Sequence, residues 1–322
     1  MANKKLNFAN FVLRFGDEMV MVDQLKEVVI PAFFDDREKT TSKTRLFLHD
    51  VRMIEQLADR HIIAGRIVKD TILEREKLYD KESKTLKDSS RTLRSSPTSF
   101  FALIVETHRL IFVPEHRGSP TLKTFQSLMR RFLSDAYIEQ YGKVSRKKVQ
   151  PDEITNRPPP PELEIVPMMS AGSLAAFLDR FELIQQLSIR VAEVNNEFDN
   201  SELIEDVRES HRRMKSDDTE LRYKNMKGGL SRDEVSSELE AVGKGTGHVN
   251  VVGKDSEGRK IEGNNEHFGI KAEVQAIPDN VIRATDIVFS EFEALTTTRA
   301  IDAGEASSTT IEKVKSVFES ME

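Results

Sequence analysis

The sequence contains no cysteine. Disulfides, thiolate metal sites and a cysteine nucleophile are therefore excluded, and a cytosolic compartment is the expectation. Long apolar runs are missing as well. Val28–Phe34 is interrupted by Pro31 and Phe100–Val105 is short, whereas a bilayer span needs roughly 20 apolar residues. The opening MANKKLNFANFVLRF has lysines but not the apolar stretch of a signal peptide. A protein that is not embedded in a membrane is expected.

Hydrophobic residues make up 38% of the 322 and charged residues 32%. Against ordinary usage the first is low and the second high. Such a chain can build a core, but much of it must be solvated. The formal net charge of −6 argues against a polyanion partner, yet the charge is unevenly spread. Residues 1–150 hold 28 Lys+Arg and 20 Asp+Glu, a net of +8, and residues 151–322 have a net of −14. Such asymmetry points to a polyanion partner for one part of the molecule.

Apolar spacing predicts a helix over 17–34, ended by Pro31. Residues 45–50 and 61–69 alternate as strands, and the charged stretch 71–94 leads into a loop at 89–97. SFFALIVE (99–106), a turn at 107–109 and residues 110–113 read as a hairpin. Pro120 leads a helix that presents Leu122, Phe125, Leu128, Met129, Phe132 and Leu133 on one face. Residues 142–161, ending in four prolines, read as a stiff linker between an N-terminal subdomain (1–150) and a C-terminal one (151–322). Arg157 beside those prolines also has the form of an SH3-type ligand, although a rigid spacer fits better. Beyond it come strands at 163–166, 181–194, 247–253 and 268–277. Helices are expected at 172–180, 200–215, from Ser231, at 281–295 and at 310–321. Elements mix without a βαβ rhythm, which predicts an α+β fold of antiparallel sheets with flanking helices.

None of the histidines (His49, His61, His108, His116, His211, His248, His267) has a metal-ligand spacing, and each is expected at the surface or in a hairpin. GKGTG at 243–247 follows a helix and precedes a strand, the reverse of a P-loop, and reads as a helix end and turn. Asp35, Asp36 and Glu38, and Asp70, Glu74 and Glu76 beside Lys77, loosely echo a nuclease metal site. Chance in charge-rich stretches explains them better. With no catalytic set, a non-enzymatic protein without a cofactor or metal is expected.

Three basic clusters say more. One joins Arg130 and Arg131 to Lys143, Arg146, Lys147 and Lys148. A second contains Arg208, Arg212, Arg213, Lys215, Arg222, Lys224 and Lys227. The third is a glycine-rich hairpin with Lys244, His248, Lys254, Arg259 and Lys260. Lysine and arginine neutralise phosphates without needing a fixed spacing. Glycines let a backbone approach a phosphate closely. No aromatics interleave, so stacking on single strands is not indicated. Double-stranded DNA bound with little sequence preference is the expected partner.

The order of segments resembles the RexA-type phage-exclusion proteins. SFFALIVETHRLIFVPEHRGSPTLKTFQSLM is similar to that family's strand, turn, strand and helix. ELEIVPMMSAGSLAAFL with FELIQQLSIRVAEV resembles its next unit, and GHVNVVGKDSEGRKIEGNNEHFGIKAEV its late hairpin. The likeness covers roughly 98–195 and 245–275. It implies a homodimeric DNA-binding sensor in phage exclusion or abortive infection, signalling to a separate membrane effector, with Lys254 as a DNA contact. Two alternatives remain: a protein-interaction subunit docking through its acidic half and the 310–321 helix, and a metal-dependent nuclease.

Overall fold

The structure, a computed structural model, describes residues 3–16, 19–56, 60–142, 157–191, 207, 209, 210, 213, 214, 216, 219–243, 247–298 and 300–321. The chain begins with β1 (Lys4–Phe15) and β2 (Met19–Val20), then winds through 3-10 and π turns at 21–29 into α1 (Ile30–Phe34). Pro31 sits in the first turn of α1. A π turn over Leu25–Val29 runs directly into it, so the helical path passes through Pro31. Helix therefore continues where the sequence suggested an end.

Next come β3 (Glu38–Thr40), β4 (Thr44–Gln56), β5 (Arg60–Asp80), β6 (Thr85–Ser95), β7 (Thr98–Ile104), β8 (Arg109–Pro114) and α2 (Leu122–Tyr141). After the linker follow β9 (Pro161–Pro167), α3 (Ala171–Leu178), β10 (Leu183–Val191), β11 (Glu220–Lys224) and α4 (Arg232–Gly243). The chain finishes with β12 (Gly247–Lys254), β13 (Lys260–Asn264), α5 (Asn265–Phe268), β14 (Lys271–Val274), α6 (Val281–Thr297) and α7 (Ser308–Glu319).

The fold is α+β, and the described strands form two antiparallel sheets. The larger runs β14-β1-β8-β7-β5-β4-β3, with β2 and β9 also on β1 and β6 on β5. The second runs β11-β10-β12-β13. The sequence boundary near residue 150 does not separate them, because β9 and β14 both return to pair with β1.

Period-two alternation divides the large sheet's side chains between two cores. Phe11, Leu13, Phe15, Ile63, Phe101, Leu103 and Phe112 face one core, closed by the 21–34 segment, α2 and α7. Phe8, Ile62, Phe100, Ala102, Ile104 and Ile111 face the other, closed by Val281, Val288, Phe289 and Phe292 of α6. SFFALIV is apolar without a break because β7 is covered on both faces. The second sheet has one covered face. Leu187, Ile189, Val249 and Val251 pack there on Leu174, Phe177, Val235 and Leu239 of α3 and α4.

Two expectations need correction. Residues 71–95 are not a charged stretch with a loop, because β5 runs past Thr71 and pairs with β6 as a two-stranded arm. Ladder hydrogen bonds come from the backbone, so a polar sequence can supply them. The C-terminal helix is not a free docking face. Val314 and Phe318 of α7 are buried in the first core, and Lys313 pairs with Asp23 at 2.6 Å. Arg157 is also engaged. It donates to the Tyr137 hydroxyl at 2.9 Å and stacks on its ring, so it packs as part of a spacer. Among the described residues, no helix is long and apolar enough to cross a membrane.

A buried ion pair ties the large sheet to the turn before α6. Arg66 meets Glu115 at 3.1 Å and donates to the carbonyls of Pro278 and Asp279 at 2.5 and 2.8 Å. Removing one partner strands the other's charge in a dry site. Arg66→Ala is expected to lower the unfolding free energy in a urea titration by about 3–5 kcal/mol. Arg52→Ala, at an exposed position, should change it by less than about 0.5 kcal/mol.

Candidate nucleic-acid interface

The second sheet's uncovered face is built by strict alternation. On β10, Leu187 and Ile189 point to the core, which puts Gln186, Ser188 and Arg190 on the other side. On β12 the same logic turns out His248, Asn250, Val252 and Lys254, between buried Val249 and Val251. The register adds Glu220, Arg222 and Lys224 of β11, opposite Arg190, Ser188 and Gln186. From β13 it adds Lys260, Glu262 and Asn264, opposite Lys254, Val252 and Asn250. Four strands at about 4.8 Å spacing make a strip about 15 Å across. Its cations are Arg190, Arg222, Lys224, Lys254 and Lys260, and its acids Glu220 and Glu262.

Arg222 pairs with Glu220 at 2.6 Å and Lys260 with Glu262 at 2.9 Å. Arg222 and Ser188 hydrogen bonds hold the Glu220 carboxyl below its usual range. Lys260 and Asn250 do the same for Glu262. Lys224 and Lys254 are exposed and have no carboxylate partner among the described residues.

At one end of the strip the two sheets meet over Glu164 of β9. Arg190 reaches its carboxylate at 2.5 Å and His248 Nε2 lies 2.8 Å away. Arg130 donates to the neighbouring Leu163 carbonyl at 2.7 Å. With Arg14, it lines a depression of about 370 Å³ beside Glu162 and Glu164. Burial pushes the Glu164 carboxyl up, but His248, Arg190 and Arg130 outweigh it and hold the group below its ordinary value.

The sequence-expected residues are divided by this geometry. His248, Lys254 and Lys260 share the open face, with Arg130 beside His248 at the Glu164 end and Lys254 and Lys260 at the other. Arg259 does not join them. It sits in the turn, paired with Asp255 at 2.9 Å and Glu257 at 3.0 Å. Arg131 is on an exposed side of α2, 3.5 Å from Asp135. Arg213 is exposed ahead of β11. Lys143, Arg146, Lys147, Lys148, Arg208, Arg212, Lys215 and Lys244 lie outside the described residues. So do His211 and most of the polar helix expected at 200–215.

Sequence reasoning missed Arg14, Arg190 and Glu164. Arg190 was detectable, because it continues the polar positions Gln186 and Ser188. His61 and His108 lie in the β4–β5 and β7–β8 hairpins, where both are buried, and Glu106 Oε1 lies 2.6 Å from His61 Nδ1 while accepting the His61 backbone N–H. The Phe318 ring sits edge-on to His61 at 4.5 Å and seals the pair. Of the acids considered for metal binding, Asp35 is paired with Arg37, and Glu38 and Asp70 with Arg45. No group of three potential ligands clusters among the described residues.

A carboxyl depressed by folding contributes stability above its unfolded pKa, and loses it as pH falls through the folded value. The advantage of the wild type over Glu164→Gln in urea unfolding should therefore be full at neutral pH. It should shrink as pH falls below the ordinary glutamate range.

No curated protein matches the chain. A family defined by a domain of unknown function (DUF4747) matches residues 27–289, which takes in β3 to β14 and the first half of α6 but not β1 and β2. The chain belongs to that family.

Proposed function

We propose that this protein binds double-stranded DNA through its phosphates, with little sequence preference. The observation that carries the reading is the open face of the second sheet. Five cations and a histidine share one strip with Glu220 and Glu262, and Glu164 pairs with Arg190 and His248 at its end, within a half of the chain whose net charge is −14. A positive strip on an acidic background focuses a polyanion on one place. Antiparallel strands are an established way of presenting side chains to a duplex. Asn250 adds a polar group able to bond phosphate oxygens. No aromatic side chain stands on the strip, which favours a duplex over stacked single strands.

The resemblance to RexA-type proteins extends the proposal. The protein would act as a homodimeric sensor in phage exclusion or abortive infection, in the cytoplasm, without catalysis, and would pass its signal to a separate membrane effector. The segments that carry the likeness form β7, β8 and α2, then β9, α3 and β10, and then β12 to β14.

Fluorescence anisotropy with two unrelated labelled duplexes tests DNA binding. Affinity should be alike for both and fall steeply between about 50 and 200 mM salt. The double variant Lys224→Glu, Lys254→Glu should weaken binding to both and lower the salt slope by about two. Arg52→Glu, on the large sheet, should leave it unchanged. Lack of binding at low salt, or an unaffected double variant, would remove the strip from the account.

A further inference from the structure

Met168 and Met169 follow the end of β9, and as neighbours in an extended segment they enter different cores. Met168 packs in the core under α6, and Met169 in the core under α3 and α4. Where those two cores approach each other they leave a cavity of about 530 Å³. Its apolar walls are Met168, Met169, Leu174, Leu239, Ile270 and Ile301. The connection from α6 to α7 closes one side, with Ile301 buried and Ala300–Glu305 lining the space. Small-molecule sites are apolar cavities of about 300–1,000 Å³ that carry a few placed polar groups. Methionines suit such a wall, because a flexible thioether chain adapts to what it meets.

The polar part of the lining sets the charge of what would fit. Glu240 of α4, with Asp302 and Glu305 of the connection, lines the cavity at exposed positions. None of the three has a cation partner among the described residues, and the described lining holds no lysine, arginine or histidine. Two positive influences lie nearby. Arg109 braces the connection from outside the lining: its Nε donates to the Asp302 carbonyl at 3.1 Å, and its guanidinium to the side-chain oxygen of buried Asn10. The start of α3 adds about half a charge, and the Ser170 hydroxyl already caps it by accepting from the Ser173 N–H. One guanidinium and half a charge do not cancel three carboxylates. The mouth is acidic over an apolar floor, which repels carboxylates and phosphates and attracts an ammonium group.

We infer that this cavity binds a small organic cation, a primary amine carried on an aliphatic or aromatic body. The body fills the space between Met168, Met169, Leu239 and Ile270, and the ammonium group stands among Glu240, Asp302 and Glu305. Burial of the body supplies most of the affinity. The exposed carboxylates each add little and act chiefly by selecting the sign of the ligand's charge. The cavity is separate from the open strip, because Leu174 and Leu239 belong to the helices that cover the opposite face of the second sheet. DNA binding by that sheet can fail without touching this inference.

Isothermal titration of the full chain at low salt with octylamine, phenylbutylamine, octanol and octanoate tests the site. At least one of the two amines should bind saturably, one molecule per chain, and about tenfold more tightly than octanoate, with octanol between them. Whether the straight-chain or the aromatic amine binds better distinguishes the two kinds of body. The triple variant Glu240→Gln, Asp302→Asn, Glu305→Gln should erase the preference for the amine and leave octanol binding as it was. Asparagine can still accept the Gly304 N–H, as Asp302 does at 2.9 Å, so the connection keeps its turn. Ala300→Trp, at an exposed position on the wall, should abolish binding of all four probes while the melting curve by circular dichroism stays that of the wild type. The inference is overturned if neither amine binds saturably, or if octanoate binds as tightly as the amines. A preference that survives in the triple variant, or unchanged binding in Ala300→Trp, overturns it as well.

Discussion

β1 is buried on both faces and paired along both edges, and this double constraint organises the molecule. Its odd and even side chains enter different cores. Its edges hold β14 and β9 on one side, and β8 and β2 on the other. Strands from both ends of the chain therefore converge on one element. Because β9 is fixed in this way, Glu164 stands where Arg190 and His248 of the second sheet can reach it. The position of the open strip relative to the main body follows from that contact. The strip's polarity follows from α3 and α4 covering only the opposite face.

Much of this was legible in the sequence. Unbroken apolar runs marked β7, and alternation marked β12. The 3.6-residue period marked α2, α6 and α7. A purely local pattern was less informative where pairing decided the outcome. The serines and charges of 89–95 look like a loop, yet the neighbouring strand gives their backbone a ladder. Pro31 looks like a stop, yet the chain passes from a π turn into α1 through it. For the site, counting cations along the chain located Lys254, Lys260 and His248 but could not separate them from Arg259, which its own turn neutralises. Arg190 is far in sequence from any basic cluster; alternation with Gln186 and Ser188 marks its face, and its register with His248 and Glu220 brings it into the strip.

The acidic total and the proposed polyanion partner are compatible because charge acts locally. Screening in physiological salt limits a surface charge to about 8 Å. A duplex lying on the strip would be governed by Arg222, Lys224 and Lys254 rather than by carboxylates on α4 or α6. The carboxylates within the strip would temper affinity and hold Arg222 and Lys260 extended over the face. That combination suits a moderate, salt-sensitive, sequence-tolerant binder.

Hydrogen–deuterium exchange with and without a duplex of about two helical turns would test the central claim most directly. The account predicts slowed exchange in β10, β11, β12 and β13, with little change in α6 or β7. Protection confined to other elements, or none at a saturating concentration of duplex, would contradict it.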